Sequence, residues 1–322
     1  MINRPRILRK SASIRSMVSE NQLTVNDFIA PLFIVEGEGI EEEIQSLPDY
    51  HRRSLDRTLL EVEELWSLGI KSVLLFAKCP ENLKDDRGSE ALNPDGLMQQ
   101  SIKAIKNSCP GITVMTDVAL DPYSSAGHDG IVIDGKIVND ETVEVLSRMA
   151  VSHAEAGADI VAPSDMMDGR IGSMRAALEG AGMVETGIMS YSAKYCSALY
   201  GPFRDALDSA PGFGDKKTYQ MDPANRLEAL KEVQLDIEEG ADIVMVKPAL
   251  SYLDIIREVK NISSVPVSAY HVSGEYAMIK MGAKYSSLDE AAVMLETTLS
   301  IKRAGADLIA TYFAKDLAKI LS

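Results

Sequence analysis

The run Ala241-Asp242-Ile243-Val244-Met245-Val246-Lys247-Pro248-Ala249 decides the fold. Four apolar residues follow Asp242 without a polar break, so a strand built from them is apolar on both faces. Such strands belong to parallel sheets covered by helices. Lys247 stands at the C-terminal end, and Pro248 stops the ladder because it has no N–H to donate. A lysine partly desolvated there is driven toward its neutral, nucleophilic amine. A lysine that snorkels its ammonium into water carries no such chemistry. The rest of the chain has to separate the two.

The same pattern recurs. Glu155-Ala-Gly-Ala-Asp159-Ile-Val-Ala-Pro and Arg303-Ala-Gly-Ala-Asp307-Leu-Ile-Ala-Thr repeat the helix end, glycine cap and buried strand of Glu239-Gly-Ala-Asp242-Ile-Val-Met-Val. Amphipathic stretches at Leu59–Leu68, Leu97–Lys106 and Asp140–Glu155, the last capped by Asn139 or Asp140, alternate with further apolar runs. Eight strands are predicted, over 30–36, 72–77, 112–118, 159–163, 186–192, 242–246, 265–271 and 307–312. Eight βα units at this length predict an α/β fold, a (β/α)8 TIM barrel over residues 28–322. A doubly wound open sheet is the alternative, and no GxGxxG follows a strand to favour it.

Composition narrows the function. The 322 residues are 46% hydrophobic and carry a formal charge of −15, which argues against nucleic acid or an anionic membrane as partner. Three scattered cysteines, Cys79, Cys109 and Cys196, make no disulfide framework and suit a reducing cytoplasm. Residues 1–20 lack the apolar core of a secretory signal, and no apolar run reaches bilayer length. Residues 1–27 form a basic arm with Arg4, Arg6, Arg9, Lys10 and Arg15. It is either a solvated terminus or an arm that docks on an acidic neighbouring subunit.

In a barrel, chemistry gathers at the C-terminal strand ends. In order these carry Asp117 and Asp121; Ser164, Asp165 and Asp168; Lys194; Lys247; Tyr270, His271 and Ser273; and Tyr312. Lys194 and Lys247 end consecutive strands, which lie roughly 5 Å apart. Two ammonium groups at that distance repel by roughly 3 kcal/mol at an effective dielectric of 20. Repulsion and desolvation together favour a neutral amine that attacks a ketone to form a Schiff base. Residues 201–222 read as a glycine-rich lid with Arg204, Lys216 and Lys217 supplying positive charge for a carboxylate.

Several long blocks now carry a resemblance. SAKY at 192–195, GPFRDA at 201–206, SAPGFGDKKTYQM at 209–221, MVKPAL at 245–250 and AYHVSGEYAM at 269–278 resemble the porphobilinogen synthase family, also called 5-aminolevulinate dehydratase. DVALDPYSSAGHDG at 117–130 and APSDMMDGRIG at 162–172 extend the likeness over nearly the whole chain. The resemblance implies condensation of two 5-aminolevulinate molecules into porphobilinogen with loss of two waters, a step of tetrapyrrole biosynthesis. It implies that Lys247 binds the first substrate, with Ser273 and Tyr312 at its carboxylate, and that Lys194 is the second Schiff-base lysine. Arg204, Lys216 and Gln220 match the positions that hold the second substrate's carboxylate; Lys216 stands where many members have arginine, keeping the charge without the bidentate fork. Asp117 or Asp165 is expected to assist proton transfer.

Some relatives hold zinc on three cysteines at positions that here are Ala119, Asp121 and Asp129, so zinc is not expected. Carboxylates favour magnesium. Asp121 and Asp129 are candidates for magnesium, for a monovalent cation, or for hydrogen bonds to substrate; Asp-Pro and Asp-Gly are also ordinary turn pairs. Glu232 matches the place of a hydrated regulatory magnesium. The resemblance also implies an allosteric homo-octamer with the arm wrapping a neighbour. A class I aldolase barrel would account for Lys247 but leave Lys194 and the basic lid unexplained. A non-catalytic anion-binding barrel would leave both lysines, Ser273 and Tyr312 unexplained.

Overall fold

The computed structural model describes residues 3–321, so residues 1, 2 and 322 of the expected arm and barrel lie outside the described residues. Eight parallel strands form the barrel: β1 (Phe28–Val35), β2 (Ser72–Ala77), β3 (Thr113–Val118), β4 (Ile160–Pro163), β5 (Gly187–Lys194), β6 (Ile243–Lys247), β7 (Val267–His271) and β8 (Leu308–Thr311). Each pairs in parallel with its sequence neighbours. The return of β8 to β1, with Phe28 opposite Ile309 and Ile29 opposite Ala310, closes the barrel, and a hairpin of Glu41–Glu43 and His51–Ser54 adds to the end of β1. The open-sheet alternative is thereby ruled out.

Strand boundaries fall within two residues of the predicted ones, 72–77 being matched at both ends, and two local details matter. Lys194 and Lys247 lie within β5 and β6 as their last residues, not beyond them. The helix Asp140–Glu155 follows Asn139, but Asn139 makes no side-chain cap. Its amide instead accepts from the Asp168 N–H at 2.8 Å and donates to the Asp168 carbonyl at 3.1 Å, tying that helix start to the loop after β4.

The repeated Gly-Ala-Asp has a physical origin at the opposite end of the barrel. Gly157, Gly240 and Gly305 all have positive φ, which lets each helix end turn directly into its strand. The aspartate that follows reaches across to the start of the preceding strand. Asp159 accepts from Val114 N–H at 2.7 Å, Asp242 from Ile188 N–H at 2.7 Å and Asp307 from Val267 N–H at 2.8 Å. A cation from the helix that precedes the amide-donating strand joins each: Lys106, Arg175 and Lys260. These three units clamp β3 to β4, β5 to β6 and β7 to β8.

Helices pack outside by apolar stripes, as in Leu253–Ile262, which buries Ile255, Ile256 and Val259. Each such side chain contributes about 1.5–3 kcal/mol. The N-terminal segment carries a 3-10 turn at Pro5–Arg9 and a short helix at Ala12–Met17, neither with a buried residue. Among the described residues no helix is long and apolar enough to cross a membrane.

Candidate active site

The register of β5 against β6 builds the site. Ser190 pairs with Val244, Ala193 with Val246 and Lys194 with Lys247, so β5 holds one residue more than β6 across the same span. This is a β-bulge at Tyr191–Ser192. Its effect shows in where side chains point. Ser190 faces the helical layer, donating to Asp236 on helix Leu227–Glu238 at 2.5 Å. Tyr191 faces the barrel, its ring 5.0 Å from Lys247 Nζ. Strict alternation would then send Lys194 outward. The extra residue turns it inward beside Lys247.

Lys247 is 4% exposed, and its amine lies among four rings: Tyr270 at 4.7 Å, Phe203 at 4.8 Å, Tyr191 at 5.0 Å and Tyr200 at 5.0 Å. Among the described residues no carboxylate touches it. Burial, followed by the charge of Lys194, pushes the amine down to about 7, against the opposing pull of Asp117, Asp129 and Asp121. The desolvation inferred from the strand end is therefore present. Tyr312, from the loop after β8, meets Tyr270 hydroxyl to hydroxyl at 3.2 Å and stacks near Phe33. Ser273 begins the helix after β7; its hydroxyl accepts from Phe203 N–H at 3.0 Å, which fixes the start of the 201–222 segment against the barrel.

Lys194 is placed differently. Its ammonium donates to Asp129 Oδ2 at 3.0 Å and to the carbonyl of Ser164. Asp129 also accepts from Lys216 at 2.5 Å, and Lys216 reaches Asp121 at 3.1 Å. All four side chains are buried. Burial alone would raise the Asp129 carboxyl, but the charges and hydrogen bonds of Lys194 and Lys216 outweigh it and hold the group far below the usual range. Likewise burial opposes the Lys216 charge, and Asp121 and Asp129 overcome it and raise the amine. Gln220 donates to Asp129 at 3.4 Å and leaves its Oε1 buried without a partner. Arg204, on helix Gly201–Leu207, keeps its guanidinium half-buried with no ion pair among the described residues.

Asp117 ends one strand position before Val118 on β3, and its Oδ1 is buried and unpartnered. Burial and then Asp121 push its carboxyl up to about 7, with Lys194 opposing. A proton can be held or released there near neutrality. Asp165 has the same kind of burial, raised to about 6, but it accepts from Met167 N–H at 2.8 Å and lies 3.6 Å from Arg170. Its Oδ1 shapes the loop after β4, while its Oδ2, like Asp117 Oδ1, is buried without a hydrogen-bond partner.

The metal candidates separate. Lys216 sits between Asp121 and Asp129, so a divalent ion would have to displace a hydrogen-bonded ammonium; these residues do not fit one with the lid in place. Glu232 lies outside the barrel mouth, on a cavity of about 320 Å³ that Asp168, Glu228, Lys217 and Gln220 also line. Burial and the nearby Asp236 raise its carboxyl. Among the described residues no group of three or more His, Cys, Asp and Glu is arranged to hold a metal ion directly. One or two carboxylates on a roomy cavity suit an ion that keeps most of its waters.

Sequence reasoning missed the aromatic cage. Tyr191 and Phe203 carried no local signal, because tyrosine and phenylalanine in such positions read as core. It also missed the contacts of His128 and Tyr219, which lie 91 residues apart.

A family model described as delta-aminolevulinic acid dehydratase matches residues 2–320. A delta-aminolevulinic acid dehydratase of Halalkalibacterium halodurans is 54% identical over 319 residues, covering 99% of this chain and 97% of its own. One of Bacillus subtilis is 53% identical over 320 residues, covering 99% and 98%. The crystal structure of the Toxoplasma gondii delta-aminolevulinic acid dehydratase (porphobilinogen synthase), in complex with the reaction product porphobilinogen, superposes with a TM-score of 0.98. It is 49% identical and covers 99% of this chain and 92% of that one.

Proposed function

The chain belongs to the delta-aminolevulinic acid dehydratase family, and on that premise we propose how its residues condense two 5-aminolevulinate molecules into porphobilinogen with loss of two waters. Its activity is that of a porphobilinogen synthase, a lyase of porphyrin biosynthesis. The observation that carries the residue assignments is the desolvated Lys247 amine, register partner of Lys194.

Lys247 attacks the ketone of the first substrate, whose carboxylate is held by the hydroxyls of Ser273 and Tyr312. The carbinolamine so formed loses water when its hydroxyl takes a proton, which we assign to Asp117, the carboxyl that acts most strongly on the Lys247 amine and is itself raised to about 7. Lys194 engages the ketone of the second substrate, giving up its proton as the contacts to Asp129 and Ser164 are remade. Arg204, Lys216 and Gln220 hold that substrate's carboxylate under the lid. An iminium withdraws electrons and acidifies the adjacent carbon. The enamine that results attacks the partner's iminium carbon. The partner's amino group then displaces one lysine from its imine carbon to close the ring, and the other lysine leaves by elimination as the ring double bond forms. The second amino group stays free, each imine formation having released one water. Carbon, nitrogen and oxygen then balance with two waters released.

For cations we propose a mainly hydrated magnesium at Glu232, supported by the acidic cavity beside the lid. When bound there, it adds positive charge against Glu232 and its neighbours and serves regulation. At Asp121 and Asp129, Lys216 and Lys194 already balance the charge, so neither magnesium nor a monovalent cation is assigned. We further propose a homo-octamer with the basic arm on a neighbouring subunit, and a cytoplasmic location consistent with three free cysteines.

Borohydride reduction with 5-aminolevulinate, followed by peptide mapping, tests the two lysines. Labels on peptides containing Lys247 and, at higher substrate, Lys194 are expected. Label on neither lysine would sink the assignment; label on Lys247 alone at every concentration would favour an aldolase-like single-imine mechanism.

A further inference from the structure

The loop after β3 and the lid meet along a continuous seam. Gly212 N–H donates to the Ala126 carbonyl at 2.9 Å. Gly127 has φ +64, and a Cβ there would stand 2.3 Å from the Ala210 carbonyl oxygen, so the two backbones can approach only at glycine. Beyond them lies His128, fully buried, its ring 4.7 Å from that of Phe213.

Both nitrogens of His128 are engaged, and the chemistry of the partners fixes their roles. Nε2 lies 3.0 Å from the Phe213 carbonyl, which can only accept, so Nε2 carries the proton. In the neutral ring Nδ1 is then an acceptor, and its partner at 3.1 Å, the Tyr219 hydroxyl, donates. The Tyr219 oxygen in turn accepts from Asp129 N–H at 3.3 Å. The bonds run one way, from the Asp129 backbone through Tyr219 and His128 to the Phe213 backbone. Asp129 is also the residue on which Lys216 and Gln220 of the lid converge.

We propose that His128 is the positioning residue of the lid: through Tyr219 and Phe213 it holds Lys216 and Gln220 over Asp129, and so sets the pocket of the second 5-aminolevulinate. This rests on the assignment of that pocket given above. His128 touches no reacting atom. Its effect falls on assembling the second pocket, and the first pocket around Lys247 stands without it.

The test compares full-length parent, His128→Ala and Tyr219→Phe; the last removes one oxygen and no volume. Steady-state kinetics, borohydride trapping at Lys247, and tryptic cleavage after the buried Lys216, followed by peptide mass, are measured on each. In both variants the KM for 5-aminolevulinate is expected to rise at least tenfold with kcat within threefold. Cleavage after Lys216 accelerates at least tenfold, while trapping at Lys247 stays within twofold. The proposal is overturned if KM and protection of Lys216 stay within twofold of the parent in Tyr219→Phe. It is equally overturned if kcat falls with KM and protection unchanged, which would place His128 or Tyr219 in the chemistry. Should the parent show no label at Lys194, the second-pocket assignment fails, and the cleavage rates still decide whether His128 latches the lid.

Discussion

Lys194 and Lys247 are register partners on adjacent parallel strands, yet only Lys194 has a carboxylate against its amine, with Asp129 Oδ2 at 3.0 Å. The barrel thus gives two chemically identical side chains, side by side, two different settings. Lys247 is kept dry among aromatic rings and approaches neutrality. Lys194 stays in an ion cluster that the lid completes. On the proposed assignments this asymmetry predicts an ordered reaction in which Lys247 engages first.

The Lys247 setting has a pH signature. A neutral amine is the nucleophile, so imine trapping rises as the ammonium loses its proton. With the amine at about 7, trapping at limiting substrate should climb roughly tenfold between pH 6 and 8 and then level. A climb of about a hundredfold over the same interval, with no plateau, marks an ordinary lysine and refutes the desolvated site. Lys247→Arg retains charge but forms no imine, and turnover should fall about 10³-fold or more.

Lys216→Met removes the ammonium shared by Asp121 and Asp129. Stranding buried carboxylates costs about 3–5 kcal/mol, so the unfolding midpoint falls and the KM rises. Adding Asp121→Asn removes one stranded charge and should recover part of the midpoint. A single variant that melts like the parent would show that the cluster carries little energy.

His153 and His271 are buried without charge, pushed down by burial to about 3 and about 4. The unfolded chain binds their protons at ordinary histidine values and the folded one does not. Their stability contribution is therefore full above about 6.5 and is lost as pH falls toward the folded values. Each costs about 2 kcal/mol at pH 5 relative to pH 7. Melting temperature should drop over that interval, and the drop should be smaller in His153→Asn; equal drops in parent and variant would contradict it.

Asp307→Ala tests the clamp at the far end of the barrel. It removes the acceptor of Val267 N–H and the partner of Lys260, a loss of about 1–3 kcal/mol. Stability measured by denaturant should fall while kcat and KM hold, because the clamp lies at the end opposite the site. A change in kcat without a change in stability would mean that this end communicates with the chemistry.

How much of this is readable in the sequence depends on the length scale of the signal. Buried parallel strands appear as unbroken apolar runs, so all eight are legible to within two residues, and Lys247 at a strand end is legible with them. Gly-Ala-Asp is visible as a repeat, but its meaning, a carboxylate on an amide at the start of the neighbouring strand, needs coordinates. The bulge leaves no trace: SYSAK at 190–194 contains neither glycine nor proline, and plain alternation would put Lys194 on the wrong face. Lys216 reads as a lid cation aimed at substrate; only the structure places its ammonium between Asp121 and Asp129.

The bulge in β5 has one more consequence. Whether Lys194 joins Lys247 depends on how many residues precede it, and no single side chain in the bulge dictates this. Removing Ser192 would leave a sheet with ordinary pairing, both lysines intact and every named binding residue in place. Lys194, now three positions past the outward Ser190, would still face the barrel beside Lys247. For this chain the residue count and the bulge have to be read together, because changing either one alone would turn Lys194 away from Lys247.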